Sequence, residues 1–490
     1  MPKERWDADA LFPDTIRARQ GAFLDDVARF DAHFFNLSPD EAANMDPQQR
    51  LALETAWHAL EDAGVDAASL AGTDMGVMVG AHFHDYLELL RLHRGRSGVG
   101  AYDRTGTGGS VIAGRIAHHL GIRGPTSVVD TACSSSGVAL HLAASAIRNG
   151  ECNAMLVGGV QVNLAPTTWT ATSQIGMLSQ AGKCRPFDAD ADGIVRGEGC
   201  AFLLLRKLDD ARKRGDRILG LLAGSAVNHD GKSNGLTAPN GQAQEQVIRR
   251  AMAAALVGPE DVAYVHAHGT GTRLGDPVES AALAAVWRGA SANTYVGSSK
   301  GAVGHTESVA GIVGVMIACM ALARQQIPPT VGLATVNPLV TDAMRGTGLK
   351  VAPEGGLLAW PRGRASAASV SSFGYSGTNV HLIVRKADPA SSPEPRRTDG
   401  RGALFVSARS KSALRALLVR YMRFFETTEA PFPLICRTAH AHAHACCHRR
   451  VVRVGCACAH RGDPCPRLRQ RPDHPPPGCR VRAACSERCH

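Results

Sequence analysis

The 490-residue chain is expected to adopt an α/β fold. Three observations predict it. Short apolar segments recur with little polar interruption, as in strands covered by helices on both faces. Each runs into a Gly- or Ser-rich turn and then an apolar helix. Fifty-two glycines supply the turns. At 44% hydrophobic and 20% charged residues, the composition is globular, with core enough for two or three domains. The longest uncharged apolar run, Ser308 to Ala323, falls short of the ~20 residues of a bilayer span and reads as a buried helix. The opening MPKERWDADA lacks the apolar region of a secretory signal.

The elements follow in order. Leu51, Leu53, Ala56, Leu60 and Ala63 fall at helical spacing within Pro39–Ala63, and Gly64 follows as a stop. Strands are expected at Met75–Val79, Ser127–Val129, Ala154–Val157, Ala201–Leu205 and Val262–Val265. An internal echo relates SVVDTACSSSGVAL from Ser127 to TYVGSSKGAVGH from Thr294. Each is a strand, a polar turn with a reactive side chain, and an apolar helix. Residues 1–209 and 210–387 therefore read as two similar halves. The Pro/Ser/charged texture of ADPASSPEPRRTDGRG begins a linker, 388–430, with a strand at Ala403–Ser407 and an amphipathic helix at Ser412–Phe425, capped by Ser410 or Ser412. From 431 to 490 periodicity fades into a low-order tail rich in Cys, Arg, His and Pro.

The net charge of +10 raises a nucleic-acid or membrane partner, but its distribution excludes both. Ten arginines against Asp463, Asp473 and Glu487 put +7 into residues 441–490. Eight of the fourteen cysteines lie between Cys446 and Cys489. The five before residue 430 are well spread, as in a reduced cytoplasmic protein. The tail resembles out-of-frame translation of GC-rich DNA from about residue 445. Its rival is a zinc site on Cys446, Cys447, Cys456 and Cys458, whose spacing matches no paired CxxC pattern. No metal is expected elsewhere.

Three residues carry the chemistry. Cys133 ends Asp130-Thr-Ala-Cys133 where a strand gives way to a helix, and a thiol near a helix N-terminus is favoured as thiolate. The competing reading is a buried core cysteine. His268 and His305 stand where strands end in glycine-rich turns, the position of ligands in open α/β sheets, although a single histidine there is more often structural.

DTACSSS at Asp130–Ser136, HGTGT at His268–Thr272, KGAVGHTE at Lys300–Glu307 and SSFGYSGTN at Ser371–Asn379 resemble the β-ketoacyl synthase (ketosynthase) domain of type I polyketide synthases. Further similarity lies in FLDDVARFDAHFF, MDPQQRLALETAWHALEDAG, GRIAHHLGIRGPT, CRPFDADADGIVRGEG and NHDGKSNGLTAPN, so the resemblance covers about residues 5–387. It implies a thiolase-like fold of two pseudo-twofold-related halves with layered helices and sheets, in a homodimer. It implies decarboxylative Claisen condensation in polyketide or related lipid synthesis. Cys133 takes an acyl chain from a phosphopantetheine thioester, and a malonyl-type extender on acyl carrier protein loses carbon dioxide and attacks it. His268 and His305 are then donors to the enolate oxygen. The N–H groups of Cys133 and Tyr375 form the oxyanion hole, Lys300 pairs near Glu307 and His305, and Thr270 and Thr272 contact the pantetheine arm. No cofactor is bound by the domain itself. The partners implied are acyl carrier protein and an acyltransferase acting in trans.

Four departures stand out. His266 replaces the family's Glu and, on a strand, shares a face with His268. Ala302 replaces an Asn. The family's first strand, taken as central in the N-terminal sheet, is absent, and the tail is anomalous. No GxSxG elbow, dinucleotide fingerprint or phosphate loop is present. The rival readings are an inactive remnant serving at most as a dimerisation partner, and a degradative thiolase, which needs a second catalytic cysteine that no comparable motif supplies.

Overall fold

The computed structural model describes residues 18–387 apart from 96–97, 291–292 and 362–365, preceded by Pro2, Arg5 and Trp6. Beyond 387 it describes 403–406, 408, 410–428, 430, 435 and 452–455. The linker text 388–402 and the tail cysteines thus lie outside the described residues. The chain forms two compact units, Met1–Ala59 with Leu70–Ser392, and Leu60–Ser69 with Pro393–His490.

The single helix expected over Pro39–Ala63 is two: α1 (Pro39–Asn44) and α2 (Pro47–Asp62). Ser38 caps α1 by accepting the Glu41 N–H at 3.1 Å. Met45 is extended, and Pro47, which has no N–H to give, opens the second helix rather than continuing the first. The break was legible in Pro47; the continuous apolar spacing concealed it.

Two large sheets frame the first unit. β1 (Gly76–Gly80), β2 (Thr126–Val129), β3 (Ala154–Gln161) and β4 (Gly199–Arg206) form the order β2-β1-β3-β4. β5 (Leu221–His229), β6 (Val262–His266), β7 (Thr294–Gly297), β8 (Leu349–Val351), β9 (Ala367–Phe373) and β10 (Thr378–Arg385) form the order β5-β10-β9-β6-β7-β8. The pairings repeat. β1 is parallel to β2 and β3, and β3 antiparallel to β4; β6 is parallel to β7 and β9, and β9 antiparallel to β10. The sequence echo is this repeat.

The repeat also corrects the central place expected for the first strand. β5, which opens the second half, pairs antiparallel with β10 at the sheet edge. Its counterpart belongs beside β4, at an edge, not in the centre. The four strands β2-β1-β3-β4 accordingly close without a gap.

Between the sheets lie α4 (Ser135–Asn149) and α7 (Ala310–Arg324), which follow β2 and β7 and pack on each other. α4 touches β1, β3 and β10; α7 touches β9 and β10. Outside, α3 (Gly109–Leu120) covers β1 and β2, and α5 (Gly241–Ala255) covers β5 and β10 and packs on α6 (Gly275–Trp287). Burial on both sides explains the small residues of α4 and the unbroken apolar character of α7. Glu307–Arg324, the one described helix long and apolar enough to cross a membrane, is this central layer. The two helices cross so closely that a Cβ on Gly311 would lie 2.6 Å from the Gly137 nitrogen.

In the second unit β11 (Ala403–Val406) pairs antiparallel with β12 (Val452–Gly455), and α8 (Lys411–Thr427) is capped by Ser410, whose oxygen accepts the Ala413 N–H. Leu404 and Val406 bury against Leu414, Leu417, Tyr421 and Phe425. β12 lies inside the stretch expected to hold no regular element; the Val-Arg-Val alternation of residues 452–454 is a short strand's pattern.

Candidate active site

Cys133, His268 and His305 line one cavity of about 580 Å³, with Thr270, Thr272, Phe373 and Tyr375 on its wall. Both halves contribute. β2 is followed by Asp130, whose carboxylate accepts the Ala132 N–H at 3.0 Å, and Ala132 takes a left-handed φ of 55° that turns the chain into the short helix carrying Cys133. The second half repeats the device. The Glu307 N–H donates to His305 Nδ1 at 3.2 Å, Glu307 has φ 46°, and a short helix leads into α7. The elbow before Cys133 and the elbow after His305 are thus two copies of one turn.

The two imidazoles are set by main-chain groups. The Phe373 N–H donates to His268 Nδ1 at 3.3 Å, as the Glu307 N–H does to His305 Nδ1. An Nδ1 that accepts leaves the ring proton on Nε2, so each ring is an N–H donor. Their centroids are 5.5 Å apart, nearly perpendicular. Burial, then the Lys300 cation, holds both well below the ordinary histidine value of 6.5, so both are neutral. In chain labelled with nitrogen-15 histidine, both rings are expected to remain neutral Nε2–H tautomers from pH 8 down to pH 6. Assignment is by His268→Gln and His305→Gln; an imidazolium signal from either at pH 6 contradicts this.

The thiolate expected from the helix terminus is a correction. Burial, then the Glu307 carboxylate, pushes the Cys133 thiol from 9.0 up to about 12, against Lys300 and the N–H groups of Tyr375 and Cys133, which face the sulfur. That rise corresponds to about 4 kcal/mol. A helix terminus supplies at most about 2 kcal/mol. Desolvation wins, and Cys133 rests as a thiol.

A second correction concerns Lys300 and Glu307. Both are buried, as neither a solvated pair nor each other's partner. Lys300 Nζ donates to the His268 carbonyl. Glu307 is held by Arg196, with Nε to Oε1 at 2.5 Å and Nη2 to Oε2 at 3.2 Å. Arg196 is wholly buried and also lies over the Phe83 and Trp169 rings at 4.8 and 5.4 Å. It sits in the CRPFDADADGIVRGEG segment, and nothing in its spacing marks it as a partner of residue 307.

Two carboxylates on α6 were also missed. Glu279 accepts the His268 and Gly269 N–H groups at 2.7 and 2.8 Å, and Asp276 accepts those of Thr270 and Gly271 at 3.1 and 3.2 Å. Burial raises them to about 7 and about 6. With Lys300 on the His268 carbonyl, they clamp the HGTGT loop from its main chain. Their signal was the three-residue spacing on a helix immediately after the motif.

His266 does not change the site's charge. Burial, then Lys300, lowers it to about 3, and it is neutral, with Nε2 3.1 Å from Ser299 Oγ. Ala302 is exposed on the short helix Lys300–Val303 and lines a different cavity. Among the described residues no group of His, Cys, Asp and Glu is arranged to hold a metal.

Family models match almost continuously. The β-ketoacyl synthase N-terminal domain covers residues 1–211, its C-terminal domain 219–334, and the ketoacyl-synthetase C-terminal extension 341–452. The extension carries the likeness past residue 387, where the motifs end. Polyketide synthase GfsB of Streptomyces halstedii is 45% identical over 432 residues, 85% of this chain and 8% of that protein. Pikromycin polyketide synthase component PikAII of Streptomyces venezuelae is 42% identical over 473 residues, 93% of this chain and 12% of that one. The chain thus spans only a small part of these relatives' length. Among solved structures, the ketosynthase from module 6 of the Bacillus subtilis bacillaene synthase superposes with a TM-score of 0.80 at 34% identity, over 91% of this chain and 75% of its own. The Streptomyces albus oxazolomycin ketosynthase domain OzmH KS7 gives 0.83 at 34%, over 90% and 78%.

Proposed function

The chain belongs to the β-ketoacyl synthase family, and from that premise we propose that it catalyses decarboxylative condensation of an acyl-Cys133 thioester with a malonyl-type extender on acyl carrier protein, in polyketide assembly. The observation that carries this reading is the convergence of one thiol and two Nε2–H imidazoles on a single cavity.

Cys133 sulfur attacks the carbonyl of an acyl-pantetheine thioester. The oxyanion that forms is met by the N–H groups of Cys133 and Tyr375, which already face the sulfur. The pantetheine C–S bond breaks, and the thiol's proton ends on the departing sulfur. A malonyl thioester then enters. Its carboxylate C–C bond breaks, carbon dioxide leaves, and the electron pair becomes an enolate whose oxygen takes hydrogen bonds from His268 and His305. Neutral rings suit this step, since they lend donors without a carboxylate-trapping charge. The enolate carbon attacks the acyl-Cys133 carbonyl, the C–S bond breaks with its electron pair on sulfur, the β-ketoacyl chain departs on the carrier, and the Cys133 thiolate takes a proton from water to regain its resting form. In this reading Thr270 and Thr272, which line the cavity, contact the pantetheine arm.

The partners in this reading are acyl carrier protein, an acyltransferase that loads the extender, and a second copy of the chain. The compartment is the cytoplasm, which suits the five free cysteines among the described residues. An inactive remnant is the poorer reading, because the buried groups that orient both imidazoles are all in place. The test is covalent. Cerulenin, an electrophile aimed at such sites, is expected to add once to the chain at Cys133, read by intact and peptide mass. Equal labelling of Cys133→Ala overturns the assignment.

A further inference from the structure

We propose that His82 is a positioning residue that locks the two oxyanion N–H donors, those of Cys133 and Tyr375, into one rigid frame. The inference rests on the condensing-enzyme reading above and adds to it a residue outside the catalytic motifs.

The repeat points to it first. His82 stands two residues past the end of β1, and His268 stands two residues past the end of β6, the equivalent strand. Each half therefore delivers an imidazole to the same place. In the second half that ring faces the cavity and donates. In the first half it is spent on two protein partners.

Those partners are the groups that flank the sulfur. His82 Nδ1 is 2.8 Å from Asp130 Oδ1, and a carboxylate in an ion-pair contact accepts, so Nδ1 carries the proton. Nε2 lies within hydrogen-bond distance of Tyr375 Oη, at 3.1 Å. Asp130 Oδ1 also takes the Ala132 N–H, immediately before Cys133, in the strained left-handed turn. An unbroken chain thus runs from the Tyr375 hydroxyl through His82 and Asp130 to the peptide that presents Cys133. It crosses from the second half of the fold to the first.

The need for such a tie is visible on the Tyr375 side. Tyr375 lies in a turn between Gly374 and Gly377, and the residue is 37% exposed and lines the cavity. Gly377 has φ 92°, and the turn's own bonds run from Gly374 and Gly377 and bypass residue 375. The Tyr375–His82 bond is what anchors this side chain. His82 is itself packed on Phe83, which Arg196 covers, so the anchor stands on the buried core. Because an oxyanion hole works only when its donors are fixed before charge develops, a looser Tyr375 peptide slows acyl transfer more than it slows decarboxylation, whose oxygen is met by the histidines.

The test compares two steps in the full chain: acylation of Cys133 by hexanoyl-N-acetylcysteamine, followed by intact mass, and carbon dioxide release from malonyl-N-acetylcysteamine. Tyr375→Phe keeps the ring and the peptide N–H and removes only the bond. It is expected to slow acylation about tenfold, mainly in kcat, and at least about fivefold more than it slows decarboxylation. His82→Phe is expected to do the same, and the double variant to be no slower than either single. Unchanged acylation in Tyr375→Phe overturns the proposal. So does a multiplied loss in the double variant, or an equal loss in both steps. A parent chain that neither acylates nor releases carbon dioxide overturns instead the condensing-enzyme reading, and takes the proposal with it.

Discussion

Cys133→Gln is expected to abolish acylation and condensation while decarboxylation of a malonyl thioester continues. Without the sulfur no acyl-enzyme forms, and both thiol-dependent rates fall by at least about a thousandfold. The glutamine amide is similar in reach to an acylated cysteine, and its carbonyl can accept the two N–H groups that face the sulfur. The extender's half of the cavity is then presented as in the acyl-enzyme. His268 and His305 keep their Nε2–H donors, because main-chain amides hold them and Cys133 does not. Conversely, His268→Ala or His305→Ala should each cut decarboxylation by about 10²–10³, the range for removing one donor to a developing oxyanion. The measurement is labelled carbon dioxide release across the three variants. Loss of release in Cys133→Gln alongside retention in both histidine variants would falsify the division of labour.

Arg196→Met carries the largest expected cost in stability. It leaves the Glu307 carboxylate buried and unpaired, and breaking one side of a buried pair costs about 3–5 kcal/mol. The cost is raised by loss of the guanidinium's contacts with the Phe83 and Trp169 rings. Glu307 also lends its N–H to His305 and bends the chain at a positive φ, so decarboxylation should fall with stability. Adding Glu307→Gln, which removes the stranded charge, is expected to return part of the loss. Urea denaturation checks both variants; an unshifted midpoint in Arg196→Met shows the pair to be unimportant.

Much of this was legible in the chain. Strands with little polar interruption announced themselves, and the echo between Ser127 and Thr294 proved to be the equivalence of β2 and β7. Cys133, His268 and His305 were singled out because reactive side chains at strand ends beside glycines are uncommon, and the structure brings the three to one cavity. What stayed hidden depends on contacts far apart in sequence. Arg196 meets Glu307 across 111 residues, and His82 meets Tyr375 across 293. Local pattern carries no trace of either. The protonation of Cys133 was misjudged for a related reason: a helix terminus can be read from neighbours, whereas the depth of burial that outweighs it is a property of the assembled halves. The central place expected for the first strand failed differently, since sheet order is fixed by pairing and only the β5–β10 edge reveals it.

The two cavity imidazoles take their aim from peptide groups, the Phe373 and Glu307 amides, and the loop behind His268 is gripped by its own backbone. Much of the rest of the cavity is bounded by ordinary side chains such as Ile175, Met177 and Gln180. The aim of the two rings is thereby independent of the wall: a substitution at Ile175, Met177 or Gln180 reshapes the cavity without touching a group that orients either imidazole.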